Sequence, residues 1–338
     1  MAQEPALPTG LAPSSPEPAL PSGLDMPKPS EPALPAGLDA PAAQSEPALP
    51  AGLGAPDGGQ KLAAPRERRL PEGLSGFWET RGGVRLQDDP YEKAASIGET
   101  RLQLQLDRAG EKAALKVVGD FLYDPVLNEH DVDLEDGDGW LDLRQANLLL
   151  RPASFMDLKL GRQINTWGTG DMLFINDLFP KDWNSYFIGR DDEYLKAPSD
   201  SLKASLFSDW ANLDLIYSPR FDSDRFIDGR RISYWNGALG RRAGRDATVS
   251  ADKPDDTFRD DEWAARLYRT VGSYEIAAYG YDGFWKSPAG SDPRTGRATF
   301  PRLQVFGASG RGPFAKGILS LETGWYRSAD DLSGDDPF

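Results

Sequence analysis

The chain has 338 residues, with 53 Asp and Glu against 38 Lys and Arg and a formal net charge of -15. So acidic a chain lacks the basic face that nucleic acid requires, and with no Cys and one His it builds neither a disulfide framework nor a Cys-based or multi-His metal site. Aromatic residues reach 10%, with 9 Trp, 11 Tyr and 15 Phe, a share that suits a membrane–water interface where one end of each ring is dry and the other wet.

The first element is an arm over residues 1–70. Four near-copies of Glu-Pro-Ala-Leu-Pro-x-Gly-Leu begin at Glu4, Glu17, Glu31 and Glu46. Proline fixes φ and removes backbone donors, so neither a helix nor a sheet ladder runs through such a stretch. The expected state is a disordered, proline-rich, semi-extended arm. It serves either as a spacer or as a docking array for a periplasmic partner. Leu70-Pro71-Glu72-Gly73-Leu74 echoes the repeat at the start of the folded part, residues 71–338. Residues 1–30 show neither the basic start nor the apolar run of a secretory signal, so an exported chain requires a signal that precedes Met1 or has been removed.

From Ser75 the pattern turns to period two. Over 98–107, Thr100, Leu102, Leu104 and Leu106 alternate with Arg101, Gln103, Gln105 and Asp107. Over 112–123, Leu115, Val117, Phe121 and Tyr123 oppose Lys116 and Asp120. Successive side chains of a strand point to opposite faces, so each segment has one apolar and one polar face. The other predicted strands are 75–86, 140–150, 155–166, 199–207, 211–218, 262–270, 274–285, 300–310 and 315–327. Short connections (108–111, 151–154, 208–210, 271–273, 311–314) alternate with long ones (87–97, 124–139, 167–198, 219–261, 286–299). No run of about 18 apolar residues exists to form a membrane-spanning helix. Strands near the bilayer-spanning length with short turns at one end and long loops at the other predict an all-β, up-and-down antiparallel transmembrane β-barrel of the bacterial outer membrane, with the arm in the periplasm. Trp78, Trp140, Trp210, Tyr217, Trp263, Trp285, Trp325 and Tyr326 are expected to form its aromatic girdles. Eleven strands is an odd number, and single-chain bacterial barrels have an even one. Residues 328–338 then read as the start of another external loop, and the barrel as incomplete at its C-terminal side.

Residues 157–184 contain Gly161-Arg162-Gln163, then Trp167-Gly168, then an Asp-rich stretch with a proline that starts at Asp171. This stretch resembles uncharacterised bacterial outer-membrane porin-like barrels, including alginate-export-like ones. The resemblance covers 72–327 in pattern and only this stretch in motif. It implies an outer-membrane pore whose Gly-Arg-Gln strand leads into a loop able to enter the lumen.

The polar strand faces predict the pore lining: Arg101, Gln103, Gln105, Lys116, Asp120, Arg144, Lys159, Gln163 and Asn165. In the 167–198 loop, Phe174, Phe179, Trp183 and Phe187 are expected to anchor the chain, leaving Asp171, Asp177, Lys181, Asp182, Arg190 and Asp191 to form a constriction. The stretch 131–138 alternates acidic residues, but Asp136 stands where an EF-hand needs Gly and Asp142 where it needs Glu. It reads as a solvated acidic loop. No nucleophile elbow, P-loop or dinucleotide fingerprint is present, so neither a catalytic role nor a cofactor is expected. The sequence therefore points to a passive channel for small polar or charged solutes in contact with outer-membrane lipid. A scaffold barrel whose arm recruits a periplasmic partner and a soluble β-rich carbohydrate-binding protein are the other readings.

Overall fold

The computed structural model describes residues 71–127, 130–170 and 173–330; the repeat arm and Asp171 lie outside them. One sheet dominates. Its strands are β1 (Leu74–Thr80), β2 (Thr100–Ala109), β3 (Ala113–Tyr123), β4 (Leu141–Ala153), β5 (Met156–Gln163), β6 (Ser199–Leu206), β7 (Asn212–Ser218), β8 (Glu262–Val271), β9 (Tyr274–Phe284), β10 (Arg302–Phe314) and β11 (Gly317–Ala329). Each pairs antiparallel with the strand before and after it, in chain order. The fold is all-β, an eleven-strand up-and-down meander with short turns at one end and long connections at the other. Among the described residues the outer edges of β1 and β11 pair with no other strand.

The predicted strands all appear, but the first is shorter than its 75–86 pattern. Its ladder with β2 ends at the Thr80–Thr100 pair. Arg81 then turns its guanidinium to the Gly189 carbonyl at 2.6 Å, and Gly83–Val84 joins Ala95–Ile97 in a separate two-strand ladder. The long connections carry further short ladders, among them Tyr234–Asn236 with Arg241–Ala243.

The register assigns every side chain to a face. One face carries Arg101, Gln103 and Gln105 of β2, Lys116 and Asp120 of β3, Lys159 and Gln163 of β5, and Asp214 of β7. The other carries the leucines. A bulge at Val118/Gly119 leaves Arg144 as an extra, unpaired residue of β4, and such insertions re-aim a side chain. Arg144 is thereby buried on the polar side.

Burial is inverted relative to a water-soluble sheet. Arg101 is fully buried, and Asp120, Asp142 and Gln163 are nearly so. By contrast, Leu102, Leu104, Leu115, Leu148, Leu160, Leu202, Leu215 and Leu267 are each 38–41% exposed. Aromatic residues flank this apolar face at both ends. Near the long connections, Phe121 stacks on Trp140 at 6.1 Å, Tyr217 meets Trp263 at 4.4 Å, and Phe306 stacks on Trp325 at 6.0 Å. Phe155, Phe207, Trp210, Tyr274 and Phe314 are exposed at the short-turn end. Two of the predicted girdle residues do not belong there. Trp285 stacks on Tyr326 at 5.9 Å and donates to the Ser328 hydroxyl at 3.0 Å, and both rings pack against the core cluster on the polar side.

Candidate functional site

The segment 164–198 leaves β5 and folds over the polar face of the sheet. Its Trp167 and Phe179 meet edge to face at 5.0 Å and pack into a cluster with Ile216 of β7, Ala264 of β8, Tyr279 and Tyr281 of β9, and Leu303 and Val305 of β10. The Thr169 hydroxyl donates to Glu322 of β11 at 3.0 Å, and the Tyr326 hydroxyl donates to the Ile175 carbonyl. Gly307 and Gly324 face each other across β10 and β11. A Cβ at Gly307 would lie 1.7 Å from Asn176 Oδ1, so only the missing side chain lets the segment lie this close.

The far end of the segment binds the opposite flank of the sheet. Tyr194 donates to Asp120 Oδ2 at 2.7 Å and accepts from Gln103 at 2.7 Å. The guanidinium groups of Arg101 and Arg144 lie 4.0 and 4.5 Å from its ring centroid, within reach of a cation–π attraction. Arg190 pairs with Glu99 at the mouth of β2. One segment thus touches β2, β3 and β4 as well as β7 to β11. The Lys181–Lys196 bridge holds Phe179 and Tyr194 close together, so flanks that a flat sheet of eleven strands, about 48 Å wide at ~4.8 Å per strand, would keep far apart meet one compact segment, and the sheet curls around it.

A second loop locks this packing. Arg225 donates to both Asp142 oxygens, at 2.8 and 2.8 Å, and to Asp182 Oδ2 at 3.1 Å. Asp182 also caps the short helix Trp183–Phe187 by accepting from Ser185 N at 2.7 Å. Burial opposes the charges on Arg225 and Arg190, and their carboxylate partners more than offset it, holding both above the ordinary arginine range. Lys181 bonds Asp177 at 3.0 Å, yet burial pulls its ammonium below the usual lysine range.

These positions revise several expectations. Arg101, Asp120 and Arg144 are buried beneath the segment, and Gln163 is buried at the end of β5. Gln105, Lys116 and Lys159, nearer the short-turn end, are half-buried. Asn165 sits in the segment, donating to Ser201 at 3.0 Å. Asp177, Lys181 and Asp182 spend their charges on buried partners and leave none for a constriction. Asp191 is exposed, and Asp171 lies outside the described residues. Phe179 is an anchor; Phe187 is 61% exposed, and Trp167 supplies the second anchor.

The acidic stretch 131–138 is only partly left to solvent: Asp131 and Asp133 are exposed, and the later acids are paired. Glu135 pairs with Arg220, Asp136 with Lys253, and Asp138 with Arg230 at 2.6 Å. No group of acidic or histidine side chains placed to hold a metal ion occurs among the described residues.

Beneath the segment, toward the short turns, an open-mouthed cavity of about 290 Å³ is lined by Asp157, Lys159, Gln163, Asn165, Thr166, Lys203 and Ser205, among others. Two other features of this region bear on stability. Gly161 has φ +106°, and a Cβ there would lie 2.4 Å from the Ala146 carbonyl oxygen. Gly161→Ala is expected to cost about 1–3 kcal/mol, measured as a lower urea midpoint of the folded chain. Asp222, in the connection after β7, accepts from Asp200 N at 3.1 Å. Burial raises its carboxyl above the ordinary 3.8, with Lys286 and Arg162 opposing. A carboxyl raised on folding favours the fold below its unfolded value and loses that contribution as pH rises through the folded value. Asp222→Asn is therefore expected to be the more stable protein at neutral pH, with the advantage fading as pH falls from the raised folded value toward about 3.8 and absent below it, as unfolding midpoints across pH will show.

No protein-family model matches the chain, and no curated protein matches its sequence. Among solved structures, the chain is similar to in-vitro folded OmpT, an outer membrane protein of Vibrio cholerae in its trimer form. The two are 10% identical over 77% of this chain and 80% of that one, with a TM-score of 0.27.

Proposed function

We propose that this chain forms the wall of an outer-membrane, porin-like channel for small polar or charged solutes, with the 164–198 segment narrowing its interior. The inversion of its two faces carries this reading. Leucines stand exposed on one face of strand after strand, while Arg101, Asp120, Asp142 and Gln163 are buried on the other. In water that arrangement wastes the hydrophobic effect, which favours removal of apolar area at about 25 cal/mol per Å². In a bilayer the leucines meet hydrocarbon, and between its two edge strands each strand of the wall is hydrogen-bonded to a neighbour on both sides. No helix among the described residues is long and apolar enough to cross a membrane, so the strands are the elements that would do so. Their length of 7–13 residues brackets the roughly 9–11 needed when tilted.

The test is conductance. Full-length protein added to a planar lipid bilayer is expected to give stepwise current increments. The dense ion-paired packing around Tyr194 and Arg225 favours a second reading, a structural barrel with no through path. A bilayer that stays sealed, with the protein folded and inserted, would decide for that one.

A further inference from the structure

The cavity beneath the segment holds an arrangement that packing does not explain. Lys159 and Lys203 stand directly opposite each other across β5 and β6, and like charges so placed are destabilising. Lys203 has a partner, Asp214 at 3.3 Å. The Lys159 ammonium has no ion pair or hydrogen bond among the described residues, although the charges of both Lys203 and Lys116 act on it. The Asp157 carboxylate, two residues earlier on the same face, is likewise unpaired among the described residues.

A second observation points into the same space. Gln163 is fully buried, and its amide nitrogen donates to the Ser201 carbonyl at 2.9 Å. Its Oε1 has no donor among the described residues. A buried acceptor left empty forfeits the bonds it would make to water and is costly. The cavity therefore offers one unmatched cation and two unmatched acceptors, within a volume of about 290 Å³ that suits a molecule of a few carbon atoms.

We infer that this cavity binds a small carboxylate bearing hydroxyl or amino donors, its carboxylate on Lys159 and its donors on Gln163 and Asp157. The inference deepens the channel reading, since it names the solute class that a polar interior would hold on its way through. A simple anion satisfies Lys159 and leaves Gln163 empty; a neutral polyol does the reverse. Only a molecule with both groups completes the site.

The experiment is calorimetric titration of the full, detergent-folded chain with four probes. D-gluconate represents hydroxy acids and L-serine amino acids. Propionate has the carboxylate without the donors, and glycerol has donors without the carboxylate. Saturable binding of gluconate or serine is expected, at least ten-fold tighter than of propionate or glycerol, and whichever of the two binds identifies the source. Lys159→Gln is expected to weaken it at least ten-fold, the loss of one charge-assisted hydrogen bond, while Lys159→Arg retains it. Equal binding of propionate or glycerol, or no saturable binding of any probe to the unsubstituted protein, overturns the inference. The unsubstituted protein decides this alone if Lys159→Gln does not fold. Conductance without binding removes this inference and leaves the channel; binding without conductance does the opposite.

Discussion

Arg225→Met is expected to lower the stability of the folded chain by about 3–5 kcal/mol, the usual cost of removing one partner from a buried ion pair. Arg225 is the only cation that both Asp142 and Asp182 contact at hydrogen-bond distance among the described residues, and all three side chains are nearly fully buried. Methionine fills much of the volume but takes away the cation the two carboxylates share, leaving Asp142 with Arg144 at 4.0 Å and Asp182 with its bonds from Ser185. The loss is measured as a drop in the denaturant midpoint in detergent. Adding Asp142→Asn and Asp182→Asn should restore most of it, because the amides remove the stranded charges. If Arg225→Met alone unfolds at the unsubstituted midpoint, the triad contributes nothing and the lock between the two loops is wrong. Because Asp182 also caps the helix at Trp183, the substitution should loosen the segment before the wall. Trypsin then gains access to Lys181 and Arg190 in a chain whose sheet is still intact.

The second large effect compares neighbours. Leu104→Arg is expected to cost about 2–4 kcal/mol of folding free energy into lipid vesicles, the penalty for a charge at mid-height on a lipid-facing strand. Gln105→Arg, one residue later, should cost under about 1 kcal/mol, since interior polar positions tolerate a further polar group. Leu104 is 41% exposed on the apolar face, and Gln105 faces the other way, beside Asp107. The two variants place the same arginine at neighbouring positions of one strand that face opposite ways. Equal costs would sink the membrane reading, and so would a chain that stays dispersed without detergent.

The wall was legible because period-two alternation is a local signal: each of β2 to β11 begins and ends within a few residues of its pattern. The failure at β1 is local too. Alternation runs on past Thr80, but Arg81 turns away to Gly189 and Gly83–Val84 leaves the main sheet to pair with Ala95–Ile97. The polar face is legible strand by strand, but not what covers it, and Asn165 lies beyond the end of β5. Whether Arg101 meets water or a loop depends on Tyr194, 93 positions later in the chain. Tyr194 and Arg225 sit in stretches with no period, so nothing near them announces a partner. The acids of 131–138 looked solvated for the same reason. Their cations, Arg220, Arg230 and Lys253, lie in another loop. Trp285 and Tyr326 show the limit of composition: an aromatic residue at a strand end is a girdle residue only if its register puts it on the apolar face.

Eleven antiparallel strands impose a condition on any closed form of this wall. With an odd count, β1 and β11 point in the same direction. Joined directly, they would meet in a parallel seam, with slanted and slightly weaker hydrogen bonds, at one place in an otherwise antiparallel cylinder. A seam built from one strand, or any odd number of strands, would keep every ladder antiparallel. The handedness of pairing at that single line is therefore set by arithmetic rather than by sequence.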